Sequence, residues 1–327
     1  MYPSTSLASQ AYRKGLLSSQ AELQTIADGN GQEYDEHLWQ QASNRSEKIA
    51  GSPLMSGNTL VTVTFIILCH DSAERVTSLV RLLLQEDPEC RVIVHLDKKS
   101  PKTTFKKLIL ALDDEPRCYL MRNRVRCGWG QWGLVEAPLL ALRHALSQEV
   151  VSDYFYLMSE YCRPVRPLSE LREFLTAHQG ANFIECETSD WIKGGIREDR
   201  YLYRHYLDKR KHPKLHRWMY RAQKKLGLKR QEPISFEVRF GSQWWCVKKE
   251  SIQNAFYEIE SNSEYNRLRT AWIPDECYFQ SLLKKVSSDD EIYPILTFCP
   301  FDNKGKPELL VEESSVPLRF FFARKYP

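Results

Sequence analysis

The stretch Val61 to Leu68 is β-branched and apolar, the pattern of a strand buried on both faces of a parallel sheet. Asp71 then offers an N-cap with Glu74 three residues on. Val76, Leu79, Val80 and Leu83 follow at helical spacing. Arg91 to Leu96 reads as a second strand, which completes a βαβ unit. The alternation continues with a helix over Leu134–Ala145, a strand over Tyr154–Met158, a helix over Leu168–Ala177 and a strand over Asn182–Ile184. This order predicts an α/β domain with a mainly parallel central sheet flanked by helices. Such sheets bind ligands at the carboxyl ends of their strands. Here those ends are Cys69-His70-Asp71, His95-Leu96-Asp97, Ser159-Glu160-Tyr161 and Glu185-Cys186-Glu187, all polar.

Two regions depart from that rhythm. Residues 1–58 are polar and poor in large apolar side chains, with one short helix expected around Leu16–Ile26. They read as an extension or linker ahead of a domain over 59–327. Arg197 to Arg230 carries thirteen Lys and Arg against Glu198, Asp199 and Asp208, with Tyr and Trp interleaved. It is either a solvated basic helix or a surface for a polyanion or acidic substrate.

Composition narrows the class. With 327 residues, 42% hydrophobic and 27% charged, the chain can bury a sizeable core. A net charge of +4 makes no whole-chain case for nucleic acid, and none is expected as a partner. The longest apolar stretch, Phe65 to Cys69 with its flanks, is far short of a membrane span. The N-terminus lacks a signal-peptide core. The expectation is a cytoplasmic bacterial protein, with membrane contact limited to the periphery. Nine scattered Cys without a Cys-x-x-Cys pair fit a reducing compartment and offer no metal cluster.

Several kinds of chemistry are excluded by missing motifs. No Gly-x-Gly-x-x-Gly follows a predicted strand, no phosphate-binding Gly-x-x-x-x-Gly-Lys-Ser/Thr exists, and neither does a Gly-x-Ser-x-Gly elbow. Asp-x-Asp, with which many nucleotide-sugar transferases hold a metal, is also absent. A leaving diphosphate would then need positive side chains. Phe320-Phe321-Phe322-Ala323-Arg324-Lys325 offers two behind an aromatic anchor, or it is simply a solvated basic terminus. Pro274-Asp275-Glu276 reads as a helix start, with Pro at the first position and acids in the first turn. A carboxylate there is also suited to accepting a proton.

Five segments in order resemble one family: His95-Leu96-Asp97-Lys98-Lys99-Ser100, Gly128-Trp129-Gly130 with Leu134-Val135-Glu136-Ala137, Gly241-Ser242-Gln243-Trp244-Trp245, Pro274-Asp275-Glu276 and Phe322-Ala323-Arg324-Lys325. This looks like the branching-enzyme family of inverting glycosyltransferases, with its core-2 and I-branching β-1,6-N-acetylglucosaminyltransferases and peptide O-xylosyltransferases. The resemblance covers about residues 62 to 326. It implies a GT-A-type fold, a UDP-sugar donor, a glycan or polysaccharide acceptor, and neither metal nor cofactor. It further implies that Glu276 is the catalytic base, that Asp97 with His95 faces the uridine, and that Lys325 with Arg324 contacts the diphosphate. Lys304 or Lys306 would supply a second base for the diphosphate. Glu185, Arg197 and Arg200 would hold the acceptor. Trp244 and Trp245 either line the acceptor site or pack in the core. One departure concerns the donor sugar: the family's Ser-Gly-x-Asp-x-Pro is here Ser159-Glu160-Tyr161-Cys162-Arg163-Pro164, so Cys162 takes the Asp position.

The expected reaction is a metal-independent, inverting transfer, most simply of N-acetylglucosamine and alternatively of xylose. Two rivals remain at this level. A glycoside hydrolase needs two carboxylates flanking the scissile bond, which the adjacent Asp275 and Glu276 cannot supply. A non-catalytic polyanion or glycan binder would use 197–230.

Overall fold

The structure is a computed structural model that describes residues 60–192, 196–197, 199–230, 234–300, 307–310 and 316–326. The polar segment 1–58 with its expected helix lies outside the described residues, as do Lys304 and Lys306.

Five strands come first: β1 (Val63–Cys69), β2 (Arg91–Leu96), β3 (Cys118–Leu120), β4 (Tyr154–Ser159) and the short β5 (Arg163–Pro164). Among them run α1 (Ala73–Glu86), α2 (Lys102–Leu112) and α3 (Gly133–Ser147). Next come α4 (Leu168–Ala177), β6 (Asn182–Phe183), α5 (Asp199–Leu202) and α6 (Pro213–Lys225). The chain continues with β7 (Cys246–Lys248), α7 (Lys249–Ser261), a 3₁₀ segment (Ser263–Thr270), a 3₁₀ turn (Pro274–Glu276) and α8 (Tyr278–Val286). It ends with β8 (Ile292–Tyr293), β9 (Thr297–Phe298) and β10 (Phe322–Ala323).

The expected α/β architecture is present. Seven strands form one sheet in the order β3-β2-β1-β4-β7-β6-β8. It is parallel except at β7, which runs antiparallel to β4 and β6. β1 lies inside it between β2 and β4, with Phe65 opposite Val92 on one side and Tyr156 on the other. All seven β1 residues are buried, which is why its sequence does not alternate. Two apolar layers cover the sheet: Val76, Leu79, Val80 and Leu83 of α1 join one, and Val135, Ala141 and Leu142 of α3 the other. A small sheet, β5-β10-β9, brings the C-terminal aromatics into the core, with Phe322 against Phe65 and Tyr156. Arg324 and Lys325 are thereby carried back to β4.

Two local expectations are corrected. The cap of α1 is Ser72, whose Oγ accepts from the Arg75 N–H at 3.2 Å. Asp71 instead accepts from the Tyr161 hydroxyl at 2.7 Å. Pro274–Glu276 is not the first turn of α8 but a separate 3₁₀ turn, broken from it by Cys277 at φ −146°. Asp275 is buried, and its Oδ1 has no hydrogen-bond partner among the described residues. The cause lies one residue earlier. Ile273 is held at φ 54°, ψ 65°, a left-handed conformation costly for a β-branched residue, which redirects the chain into the turn.

Candidate active site

The turn Pro274–Glu276 is fixed from three sides. Gly130, itself left-handed at φ 63°, lies so close that a Cβ there would sit 3.3 Å from Ile273 and 3.5 Å from Trp272. The Gly241 N–H donates to the Glu276 carbonyl at 3.0 Å. The Arg200 guanidinium donates from Nη1 to Glu276 Oε2 at 2.7 Å. Arg200 comes from α5, and its backbone carbonyl accepts from the Trp272 N–H at 2.7 Å, so helix and turn are joined twice. The Arg200 side chain is only 6% exposed, whereas Glu276 is 29% exposed and reachable.

Glu185 stands beside this pair. Its Oε2 accepts from the Ser242 N–H at 2.8 Å, and its backbone is approached so closely by Gly241 that a Cβ there would meet the Glu185 carbonyl oxygen at 2.3 Å. Only glycine fits. Burial pushes the Glu185 carboxyl up to about 8, with the negative charges of Glu187 and Glu276 adding to it. Asp275 is likewise raised, first by burial and then by Glu276. The site therefore sets the Glu276 side chain, paired with Arg200, beside a Glu185 carboxyl whose pKa is raised to about 8.

The next residues lead to the C-terminus. The Trp244 N–H donates to Ser242 Oγ at 3.3 Å, and the Trp244 ring carries the Arg324 guanidinium 4.8 Å above its centre. Arg324 also donates to Ser159 Oγ at 3.1 Å and reaches Cys299 Sγ at 3.6 Å. Lys325 Nζ lies 4.3 Å from the centre of the Tyr161 ring, and Arg75 lies 4.4 Å from it. Two cations thus converge on one ring at the carboxyl end of β4. Both tryptophans are buried, and Trp245 packs in the core against Phe279.

Glu160 was not singled out by the sequence, although it stands where the glycine of Ser-Gly-x-Asp-x-Pro would be. It is fully buried and accepts from the backbone N–H groups of His70, Asp71 and Ser72 at 2.8, 3.1 and 3.2 Å. Its Oε1 also lies 3.0 Å from His70 Nδ1, and this contact raises the His70 pKa. Glu160 so ties the loop after β1 to the loop after β4. Ser100 Oγ donates to the His70 carbonyl at 2.8 Å, joining the loop after β2. In that loop Asp97 Oδ1 accepts from the N–H groups of Lys99 and Cys127 at 2.8 and 3.2 Å. His95 is buried and accepts from the Val125 N–H at 3.0 Å; burial pulls its pKa down to about 4, so it is neutral and braces the 123–127 segment.

The carboxyl ends of β1, β2 and β4 therefore form one polar floor, with Glu276, Arg200 and Glu185 at one side and Arg324 and Lys325 at the other. Arg197 stands apart, exposed and ion-paired with Asp190. The model of the core-2/I-branching enzymes matches residues 63–309, a span that holds this whole site except the C-terminal pair.

The chain belongs to the core-2/I-branching enzyme family.

Two curated relatives are xylosyltransferases named oxt: one of Drosophila pseudoobscura pseudoobscura, 24% identical over 72% of this chain and 26% of its own length, and one of Drosophila melanogaster, 25% identical over 68% and 24%. The chain thus spans about a quarter of the length of these relatives. Among solved structures it is similar to the mannosyltransferase PcManGT of Pyrobaculum calidifontis, with TM-score 0.31 and 12% identity over 47% of this chain and 46% of that one. It is also similar to a putative glucose-1-phosphate thymidylyltransferase of Bacillus anthracis, with TM-score 0.36 and 9% identity over 71% and 85%. Overlaps this loose carry no argument about activity.

The relatives correct one expectation. The branching-enzyme chains matched here are from flies, so the bacterial, cytoplasmic assignment does not stand. It leaned on scattered thiols and a missing apolar run, neither of which encodes a source. All nine cysteines are free, and no described helix is long and apolar enough to cross a membrane.

Proposed function

We propose that this branching-family enzyme transfers a sugar from a UDP-sugar to a hydroxyl of a glycan acceptor, with inversion and without a metal, and that Glu276 is the general base. The observation that carries the reading is the reachable Glu276 carboxylate held at 2.7 Å by a buried arginine beside a polar floor of strand ends. Glu276 takes the proton of the acceptor hydroxyl as its oxygen attacks the anomeric carbon. The bond from that carbon to the diphosphate oxygen breaks, and its electron pair leaves with UDP. General-base help of this kind is worth roughly 10²- to 10⁴-fold.

Arg324 and Lys325 offset the charge that develops on the diphosphate, as fixed positive groups do in phosphoryl transfer. Arg324 is pre-oriented by Trp244 and Ser159, which supports this role. Asp97, its carboxylate held by two backbone N–H groups, faces the nucleoside. Glu185, protonated at neutral pH, donates a hydrogen bond to an acceptor oxygen, and Arg200 orients the base.

N-acetylglucosamine is the first reading of the donor sugar. Xylose is the second, favoured by the xylosyltransferase relatives. Cys162 is buried beneath Arg324, so it acts on the donor only through its neighbours. A thermal-shift panel of UDP-sugars with EDTA present tests the proposal. A rise in Tm with one UDP-sugar that survives EDTA is expected. Stabilisation that EDTA abolishes would overturn metal independence, and none with any UDP-sugar would overturn the donor class.

A further inference from the structure

Helix α6 has three distinct faces. His216, Tyr220 and Gln223 fasten it to the protein: His216 is buried against Trp272 at 4.5 Å between ring centres, the Tyr220 hydroxyl bonds Asp199, and the Gln223 side chain bonds the Arg204 N–H and carbonyl at 3.0 and 2.9 Å. Leu215, Trp218, Ala222 and Leu226 recur at the i, i+3, i+7 and i+11 spacing of a single helical stripe, on a different side. That stripe is exposed except at Ala222, which is half-buried. Trp218 is 65% exposed and Leu226 69%, with Leu215 and, just beyond the helix, Leu228 also exposed.

The third face is basic. Lys214, Arg217, Arg221 and Lys225 are exposed, and none has an acidic partner among the described residues. At the far end of the helix a cavity of about 580 Å³ is lined by Arg204, Lys229, Arg230 and Arg267, with no carboxylate among its described lining residues. Arg267 is partly answered by Glu264 at 3.6 Å. Arg204 and Arg267 crowd Arg230, whose pKa burial and this repulsion lower to about 10.

A helix with an apolar stripe led by tryptophan, flanked by unpaired cations, lies in the plane of a membrane interface, its apolar face in the headgroup boundary. Long basic side chains reach from there to phosphates. We infer that α6 docks this enzyme on an anionic lipid surface, with Trp218 and Leu226 inserted, the basic face against the headgroups, and the Arg204–Lys229–Arg230 cavity taking a headgroup phosphate. The lipid source is chosen over a soluble polyanion because charge alone gives no reason for the exposed stripe. The attachment has a consequence for the active site. Tyr220 and Lys224 of α6 both hold Asp199, the residue before Arg200, so a docked α6 sets the acceptor side of the site at the membrane edge.

The full chain is floated with vesicles of phosphatidylcholine alone and of phosphatidylcholine with phosphatidylserine, and the Tm of each variant serves as the folding control. The wild-type chain binds the phosphatidylserine vesicles, less so at high salt, and hardly binds phosphatidylcholine alone. Trp218→Ala with Leu226→Ala reduces binding at least tenfold with Tm unchanged. Each charge removed, as in Arg217→Gln or Arg221→Gln, weakens it about fivefold. Absence of binding to phosphatidylserine vesicles overturns the inference. So does binding that ignores Trp218→Ala/Leu226→Ala and is displaced fully by heparin, which would make the surface a general polyanion site.

Discussion

Arg200 Nη1 lies 2.7 Å from Glu276 Oε2, and the arginine is the more deeply buried of the two. That asymmetry matters. A buried guanidinium has few other ways to satisfy its donors, so it pins the carboxylate in one orientation. The second oxygen of Glu276 makes no hydrogen bond among the described residues, which on the proposed function leaves it for an acceptor hydroxyl. Glu276→Gln keeps size and shape but cannot take a proton. It should lower kcat by at least ~10²-fold, while UDP affinity, measured by calorimetry, stays at the wild-type value. Normal turnover would remove Glu276 from the role of base.

Arg200→Ala removes the clamp and leaves the Glu276 side chain in place. It leaves the partly exposed carboxylate to water and removes the side-chain link between α5 and the 274–276 turn, while the backbone bond from the Trp272 N–H to the residue-200 carbonyl remains. A stability loss of about 1–3 kcal/mol is expected, read as a lower urea midpoint, with kcat reduced less than in Glu276→Gln. Arg200→Lys should recover stability more than kcat, because an ammonium cannot reproduce the planar fork. Equal recovery of both would mean that orientation is unimportant.

At the other side of the site the two C-terminal cations predict different phenotypes. Arg324 is held by Trp244, Ser159 and Cys299, so Arg324→Ala should cost both UDP affinity and Tm. Lys325 touches only the face of Tyr161 among these contacts, so Lys325→Ala should weaken UDP binding and leave Tm nearly unchanged. Loss of one charge-assisted contact is worth ~1.5–3 kcal/mol, or roughly 10- to 100-fold in Kd. Unchanged UDP affinity in Lys325→Ala would refute its contact with the diphosphate.

The sheet was legible because burial on both faces leaves a direct mark on sequence: β1, β2 and β4 are apolar runs, and their polar carboxyl ends flag the site. What escaped was set by contacts distant in sequence. Glu160 reads as one more surface acid until β4 and the loop after β1 are adjacent and three N–H groups need an acceptor. The independence of the Pro274–Glu276 turn was hidden because Pro-Asp-Glu satisfies every helix-start preference. The left-handed Ile273 that overrides it depends on packing against Gly130, far away in the chain. The two tryptophans at 244 and 245 could not be told apart by pattern, since side chains alternate on an extended segment: one meets Arg324, the other Phe279.

Glu185 gives the pH dependence. Its folded pKa is raised to about 8, above the ordinary glutamate value of about 4.3. Between those values the folded state keeps a proton that the unfolded state has lost, so stability falls as pH rises through this window. Glu185→Gln keeps an oxygen to accept from the Ser242 N–H and removes the titration. The variant should have a flatter Tm profile from pH 5 to about 8 and should overtake the wild type toward the alkaline end. Acceptor KM in the wild type should rise above pH about 8, where Glu185 stops donating. A wild-type Tm profile no steeper than that of the variant would show that Glu185 is already ionised at neutral pH.

Gly241 couples the two halves of the site, and its substitution is the most selective test of that coupling. A Cβ at this position would lie 2.3 Å from the Glu185 carbonyl oxygen and 2.6 Å from the Glu185 Cβ, so backbone must move. The Gly241 N–H also holds the Glu276 carbonyl at 3.0 Å, and the Gln280 side chain grips the Gly241 and Ser242 carbonyls at 3.2 and 2.7 Å. The segment cannot retreat from Glu185 without loosening the turn that carries Glu276. Overpacking of this kind costs about 1–3 kcal/mol. Displacements near 1 Å at a reacting group can cost about 10²-fold in rate. Gly241→Ala should therefore lose kcat and raise acceptor KM together, with UDP affinity retained because Arg324 and Lys325 lie beyond Trp244. A variant that lost UDP binding but kept kcat would place Gly241 on the donor side and break the link between Glu185 and Glu276.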